Sequence, residues 1–369
     1  MITALYALTL LAFTIYSYAL IDPNITFFNN HAWEVFRNVM VQFGYYQRDH
    51  SWYVYALLTV LLFVFHYYFV KGKGRKKRAF HLALITGIIV VFSYPFLTHD
   101  FFNYMFDAKI LTFYHQNPYT HAAMDFSRDP WLRFLHWTQR AYPYGPSFLL
   151  LTLIPSFLSM GKFVASFFLM KSLFIGSYIV AVWVLEKMNK RWALVLATHP
   201  LIIIEGLING HNDLLALTIG LIGLYYILHK HSSILGRIVI LISAAVKYTT
   251  MPLIVGGKSK TGNTIAAVGM IFIVDYLSFK SEIQPWYFMT FFVLLPSHEY
   301  WLEQVNIFLA GLLFSYYPYI RLGGWDTRDK VELKHTIIIV FLVVNLIWFA
   351  ARRILGKEVV FKKTKNNSL

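Results

Sequence analysis

The chain has 369 residues, 57% of them hydrophobic and only 14% charged, with a mean hydropathy of +0.53, far more apolar than the roughly 45–50% apolar, 25% charged composition of soluble domains. It contains no cysteine, which excludes disulfides, Cys-ligated zinc and thiol chemistry. The formal charge of +15 sits in short basic loops beside apolar runs, the positive-inside pattern of a membrane protein and not a nucleic-acid surface.

Such a chain needs lipid as its solvent, and the fold class is all-α and polytopic, because helices satisfy their own backbone in hydrocarbon whereas a β-barrel would show short alternating strands. In chain order, apolar runs occupy residues 2–21, 52–70, 79–97, 163–185, 192–208, 214–229, 234–256, 263–279, 286–297, 303–320 and 335–351. Several fall short of the ~20 residues of a full crossing, so about 10–13 transmembrane or partly inserted helices are expected in one domain spanning residues 1–369. The first run lacks a basic leader and a small-residue cleavage site and reads as a retained helix.

Lys71, Lys73, Arg75, Lys76, Lys77 and Arg78 form the strongest basic cluster and belong in the cytoplasm, which places residues 98–145 outside as the longest non-spanning stretch. The tail 352–369, with Arg352, Arg353, Lys357 and three further lysines, reads as cytoplasmic. Lys187, Lys190 and Arg191 also favour the inside. That is consistent only if 146–160, with Pro155 inside it, is an interfacial or half-inserted helix.

The outer stretch opens with Asp100, Asn103, Tyr104 and Asp107 at i, i+3, i+4 and i+7, one face of a helix. Two carboxylates there suit a general base with a supporting acid, since desolvation raises a carboxyl toward the working range; the alternative is a solvated juxtamembrane helix. Asn117, Pro118 and Tyr119, then Tyr142, Pro143, Tyr144, Gly145 and Pro146, are rigid aromatic turns, either an interfacial belt or a surface for a sugar ring or prenyl chain. Arg128, Arg133 and Arg140 supply positive charge nearby. Further on, His199, Glu205, Asn209, Gly210, His211, Asn212 and Asp213 concentrate polarity in an apolar segment, as an ordinary capped turn or as a site. His211 and Asp213 alone are too few for a metal site.

Lys171 and Lys247 are the basic residues within apolar runs. A lipid phosphate is a natural partner for Lys247, and snorkelling or helix pairing the account for Lys171. Either Lys247 faces a wet cavity or its run is two short helices turning at the outer face, which would put Gln284, Pro285, Trp286 and Tyr287 outside too. The segment Gly256, Gly257, Lys258, Ser259 lacks the spacing of a phosphate-binding loop, and no nucleotide site is expected.

In this order, THDFFNYMFDAKIL, NPY, YPYGP, HPLIIIEGLINGHNDLLAL, AAVKY and QPWYF resemble the GT-C class of membrane glycosyltransferases, in particular its polyprenol-phosphate-mannose-dependent mannosyltransferase branch, over about residues 93–290. The resemblance implies Asp100 as the base toward an acceptor hydroxyl, with Asp107 as its catalytic companion. It implies a polyprenyl-phosphate sugar held by Lys247, with His211 and Arg140 as further phosphate contacts. Asn103, Tyr104, Asn117, Tyr119, Tyr144, Asn212, Asp213, Trp286 and Tyr287 are then the substrate-binding set, and no metal is assigned. Partners would be membrane lipid, the lipid-linked donor and a glycan or lipid-linked acceptor, at the outer face of a prokaryotic cell membrane. Two departures stand: three helices precede the acidic loop where the class has one, and the class's Asp-Gly-Arg reads Asp107, Ala108, Lys109. The rival class is a transporter or flippase, which would place its polar site near mid-depth on repeated, broken helices.

Overall fold

The computed structural model describes the backbone of residues 1–366 and the side chains of residues 1–354, so Lys357 and the lysines beyond it lie outside the described side chains. Fifteen α-helices follow in order: α1 Ile2–Tyr16, α2 His31–Val41, α3 Arg48–Val70, α4 Ala79–Val90, α5 Asp100–Thr112, α6 Pro146–Leu158, α7 Phe163–Met188, α8 Lys190–Thr198, α9 Asp213–Leu228, α10 Ser233–Ala244, α11 Lys260–Lys280, α12 Leu295–Gln304, α13 Asn306–Phe314, α14 Tyr317–Leu322 and α15 Arg328–Asn366. Among the described residues the nearest thing to a sheet is one isolated bridge, Ala122–Ala141. The chain is an all-α polytopic membrane protein: among the described residues five helical segments (Ile2–Leu20, α3, α7, α11 and Arg328–Ile354) are long and apolar enough to cross a bilayer, and a bent pair, counted as one span, would be a sixth.

Several runs that read as single spans are broken, and prolines or polar turns account for the breaks. Helix in 79–97 stops at Val90, ahead of Pro95, which has no N–H for the Val91 carbonyl and whose ring would clash with it in a continued helix. The run 192–208 is α8 followed by a π-helical segment, Ile202–Ile208, bent by 66° at the His199–Leu201 joint, where Pro200 removes a backbone donor. The run 234–256 is α10, a turn at Ala245–Lys247 and a 3-10 helix, Tyr248–Val255. The run 286–297 is a 3-10 segment, Pro285–Leu294, continuing into α12, and 303–320 divides into α13 and α14. An additional short amphipathic helix, α2, begins at an Asn30 cap, whose side chain accepts the Trp33 N–H at 2.8 Å.

The helices define two polar ends. At one, Lys71 and Arg191 both pair with Glu303, Arg191 also meets Glu299 at 3.1 Å, and Arg78 faces Glu186 at 3.9 Å; the basic loops around Lys71 and Arg191 therefore share this Lys71 end. The other is the Asp100 end. Helix α6, 13 residues long, packs against that end: Ser147 N–H donates to the Ala245 carbonyl at 3.3 Å, and Ser156 near its far terminus meets Thr112 at 2.7 Å. Leu150, Ile154, Phe157 and Leu158 are left exposed on it as an apolar face.

Lys171, fully buried in α7, does not snorkel. Its ammonium donates to Ser93 Oγ at 2.8 Å and to the carbonyls of Leu207 and Ile208 at 2.7 and 2.8 Å. Those carbonyls close the π-helical segment, and a cation is the natural cap for a helix C-terminus. This charge pairs helices, as the sequence allowed, and takes no part in the site.

Candidate active site

Helix α5 is buried along nearly its whole length, from Phe101 through Ile110. It is therefore not a solvated juxtamembrane helix. Phe101 and Phe102 pack on Phe167 at 5.3 and 6.3 Å between ring centres, and Tyr104 sits edge-on to Phe148 of α6 at 4.8 Å. At its C-terminal side the Lys109–Asp129 ion pair, buried against the Trp131 ring at 3.9 Å, ties α5 to its loop, and Tyr114 Oη donates to the same carboxylate at 2.6 Å.

This packing fixes the acidic face. Asp100 is half-buried in the first turn of α5, where the helix dipole favours a carboxylate. Asn103 and Asp107 are 4% and 6% exposed. Burial pushes the Asp107 carboxyl up to about 7, with Arg140 pulling it down and Asp100 adding to the rise. Of the three loop arginines only Arg140 acts on this face; it is exposed and lies over Trp137 at 4.7 Å.

The remaining pieces are brought onto this helix by two close approaches. A Cβ on Gly145 would stand 1.9 Å from the Ala245 carbonyl oxygen, so only glycine lets the YPYGP turn lie against the turn that presents Lys247. Gly210 has φ +74°, and a Cβ there would meet Phe101 at 2.7 Å, which seats the His211–Asp213 turn on α5. Asn117 anchors its own turn, its side chain accepting the Tyr119 N–H at 3.0 Å, while Tyr119 Oη donates to the Tyr144 carbonyl at 3.3 Å and Tyr142 N–H to the Pro118 carbonyl at 2.9 Å. Tyr144 in turn packs on Tyr104 at 5.1 Å.

Lys247 lies at the turn and not inside a helix, which resolves the cost of a lysine in an apolar run. Its ammonium donates to Asp213 Oδ2 at 2.8 Å and to Asn212 Oδ1 at 3.4 Å and lies 5.3 Å from the Tyr287 ring. Asp213 is fully buried beneath it while the lysine side chain is 13% exposed, so the ammonium is the presented group and Asp213 is its counter-ion. Asp100 is within Coulombic reach of the same ammonium.

His211 Nε2 lies 3.3 Å from Glu205 Oε2, and its ring stacks on Trp286 at 4.0 Å and 13°. Glu205 also accepts from Asn209 Nδ2 at 3.1 Å, and Asn209 Oδ1 accepts the Leu97 N–H at 3.3 Å. Among the described residues, Glu205 Oε1, His211 Nδ1, Asn212 Nδ2 and Asp213 Oδ1 are buried without a hydrogen-bond partner, and His211 Nε2 has only its 3.3 Å contact with Glu205, which is not aligned as a hydrogen bond. Each such atom costs about 1–3 kcal/mol, so a concentration of them marks a site more than a scaffold. His211 and Asp213 face different partners, and no three His, Asp or Glu side chains converge on a cation among the described residues.

Glu205 and Tyr142 belong to this constellation, and the sequence places both in candidate motifs without giving either a partner. Glu205 stands in the same polar segment as His211, and Tyr142 in the same aromatic turn as Tyr144, so the motifs hold the signal while the partners do not show. Arg128 and Arg133, in contrast, stay exposed on the loop.

Over residues 7–257, about two thirds of the chain, the sequence matches the family model described as alpha-(1->6)-mannopyranosyltransferase, N-terminal domain. No curated protein and no solved structure matches it.

Proposed function

The chain belongs to the alpha-(1->6)-mannopyranosyltransferase family, and from that premise we propose that this multi-pass membrane mannosyltransferase takes its sugar from a polyprenyl-phosphate donor and acts at the Asp100 end, outside the cytoplasm. The observation that carries the reading is the Lys247 ammonium set on Asn212, whose Nδ2 is buried without a partner, with His211 in the same turn and the Asp100 carboxylate near enough to act on the lysine's charge. Hydrogen-bond donors gathered next to a base are what a departing phosphate and an attacking hydroxyl require.

In the proposed step the acceptor oxygen attacks the anomeric carbon while Asp100 takes its proton. The bond between that carbon and the phosphate oxygen breaks, and the electron pair leaves on the phosphate, where Lys247, Asn212 and His211 stabilise it. A single displacement inverts configuration, so an α product calls for a β-configured donor. Asp213 holds the lysine in place, and Trp286 does the same for His211.

The basic loops of the Lys71 end support the orientation. In a chain without cysteine, Ser127→Cys and Ser259→Cys label from opposite sides of sealed vesicles, and labelling from one side overturns it. For the reaction, membranes holding the chain consume a polyprenyl-phosphate mannose only when a mannoside acceptor is supplied. Acceptor-independent movement of the lipid across the bilayer supports the flippase alternative instead.

A further inference from the structure

Between α5 and the loop segment 137–144 lies a second set of polar groups that the phosphate end does not use. Asn103 donates through Nδ2 to the Trp137 carbonyl at 3.2 Å, which holds the loop along the helix. Its Oδ1 is buried with no partner, and so is Tyr142 Oη on the loop opposite; their residues are 4% and 5% exposed. Asp107, one turn beyond Asn103 on the same face, has no hydrogen-bonding partner among the described residues and lies within Coulombic reach of Tyr142, Tyr144 and Arg140.

Resting on the reading above that Asp100 is the base, we propose that Asn103, Asp107 and Tyr142 form the subsite for the acceptor, an uncharged pyranose whose ring lies between Asp107 and Asp100 with its nucleophilic hydroxyl at Asp100. The spacing suits one sugar. Seven residues of helix place the two carboxyls about 10 Å apart, and two hydrogen bonds of about 2.7 Å each leave roughly the width of one pyranose ring. The chemistry suits a neutral polyol. Asn103 Oδ1 needs a donor, Tyr142 Oη gives or accepts, and an Asp107 carboxyl that burial keeps protonated to about 7 offers one O–H. An anionic acceptor group would meet the like charge of Asp100, and Arg140, the cation that acts on Asp107, is exposed. Asp107 is then a positioning residue, and its role differs from that of Asp100.

The test uses the full chain in detergent, with octyl α-D-mannopyranoside as acceptor probe and a short-chain polyprenyl-phosphate mannose as donor. Acceptor binding is measured without donor, and acceptor KM and kcat with it. Tyr142→Phe, which deletes one oxygen, and Asn103→Ala each weaken mannoside binding and raise acceptor KM about tenfold, the loss expected for one buried hydrogen bond, with donor affinity unchanged. Asp107→Ala does the same. Asp107→Asn, a neutral isostere, keeps acceptor KM within about threefold of the parent. If Tyr142→Phe and Asn103→Ala leave mannoside binding intact, the groups are bridged by water as structure and the subsite is overturned. If Asp107→Asn abolishes turnover at unchanged acceptor affinity, Asp107 is the base and its positioning role is overturned. An Asp100→Asn enzyme with parental turnover defeats the base assignment separately, because the donor-free binding readout does not depend on it.

Discussion

The Lys71 end and the Asp100 end are both islands of polarity in an apolar chain, and they differ in how that polarity is satisfied. At the Lys71 end Glu303 takes both Lys71 and Arg191, and Glu299 accepts from Trp192 Nε1 at 2.7 Å. Two buried imidazoles there are equally settled: His66 Nδ1 meets Thr198 Oγ1 at 2.9 Å, and His199 meets Asn306 Oδ1 at 3.1 Å while its Nδ1 accepts the Leu201 N–H. At the Asp100 end Asn103, Tyr142, Glu205, His211, Asn212 and Asp213 all keep buried atoms outside hydrogen bonds, whereas at the Lys71 end Glu299 Oε1 does so among these residues, and it faces Arg191 at 3.1 Å. In a membrane protein, where leaving a polar group unpaired is costly, the paired end reads as architecture and the unpaired end as a place prepared for something else.

The largest effect that sharpens this contrast is expected at Asp100. Asp100→Asn preserves shape and hydrogen bonding but not proton acceptance, and turnover should fall by roughly 10²–10⁴ with donor affinity nearly constant. Near-parental turnover removes Asp100 from the chemistry. Lys247→Met should weaken donor binding by about ten- to a hundredfold, the scale of one charge-assisted hydrogen bond; unchanged donor affinity in a titration makes the lysine a structural partner of Asp213.

A third effect concerns stability at Asp107. Its folded-state carboxyl keeps its proton to about 7 against an ordinary 3.8, so between about pH 4 and pH 7 the folded chain binds more protons than the unfolded one and stability falls as pH rises. Asp107→Asn removes that fall. The melting midpoint of the parent should drop on going from pH 5 to pH 8 by more than that of the variant, a difference worth at most a few kcal/mol. Equal drops mean the carboxyl is solvated. The smallest effect belongs to the paired end: Glu303→Gln leaves its two cations without their charge, but Lys71 and Arg191 are 40% and 47% exposed and solvent screens the loss. About 1 kcal/mol of stability should go, with kcat unchanged. A large loss of kcat would erase the distinction between the ends.

Much of the Asp100 end was readable in advance, because a helix face repeats at fixed spacing: Asp100, Asn103, Tyr104 and Asp107 needed only the i+3 and i+4 rule. The six pieces also stood in order along the chain. Their meeting was not readable. Gly145 touches the Ala245 carbonyl a hundred residues away, and Lys247 finds Asp213 across a turn between helices; neither contact leaves a local pattern. The break at Pro200 divided a run that a hydropathy window joins by averaging over a short turn, whereas the turn at Lys247 is one of the two alternatives its charge allowed. Glu205 stood in plain view, but its pairing with His211 depends on a π-helical segment whose register a regular helix would not supply.

The stack of Trp286 on His211 has a practical corollary for anyone dissecting the chain. The family match ends at Gly257, whereas the indole over the imidazole and the Tyr287 ring beside Lys247 come from the portion after it. A fragment cut at that seam would hold every acidic and basic group of the proposed chemistry yet lack the aromatic wall that orients two of them. Expression of the two portions as separate polypeptides would make reassembly itself the measurable quantity.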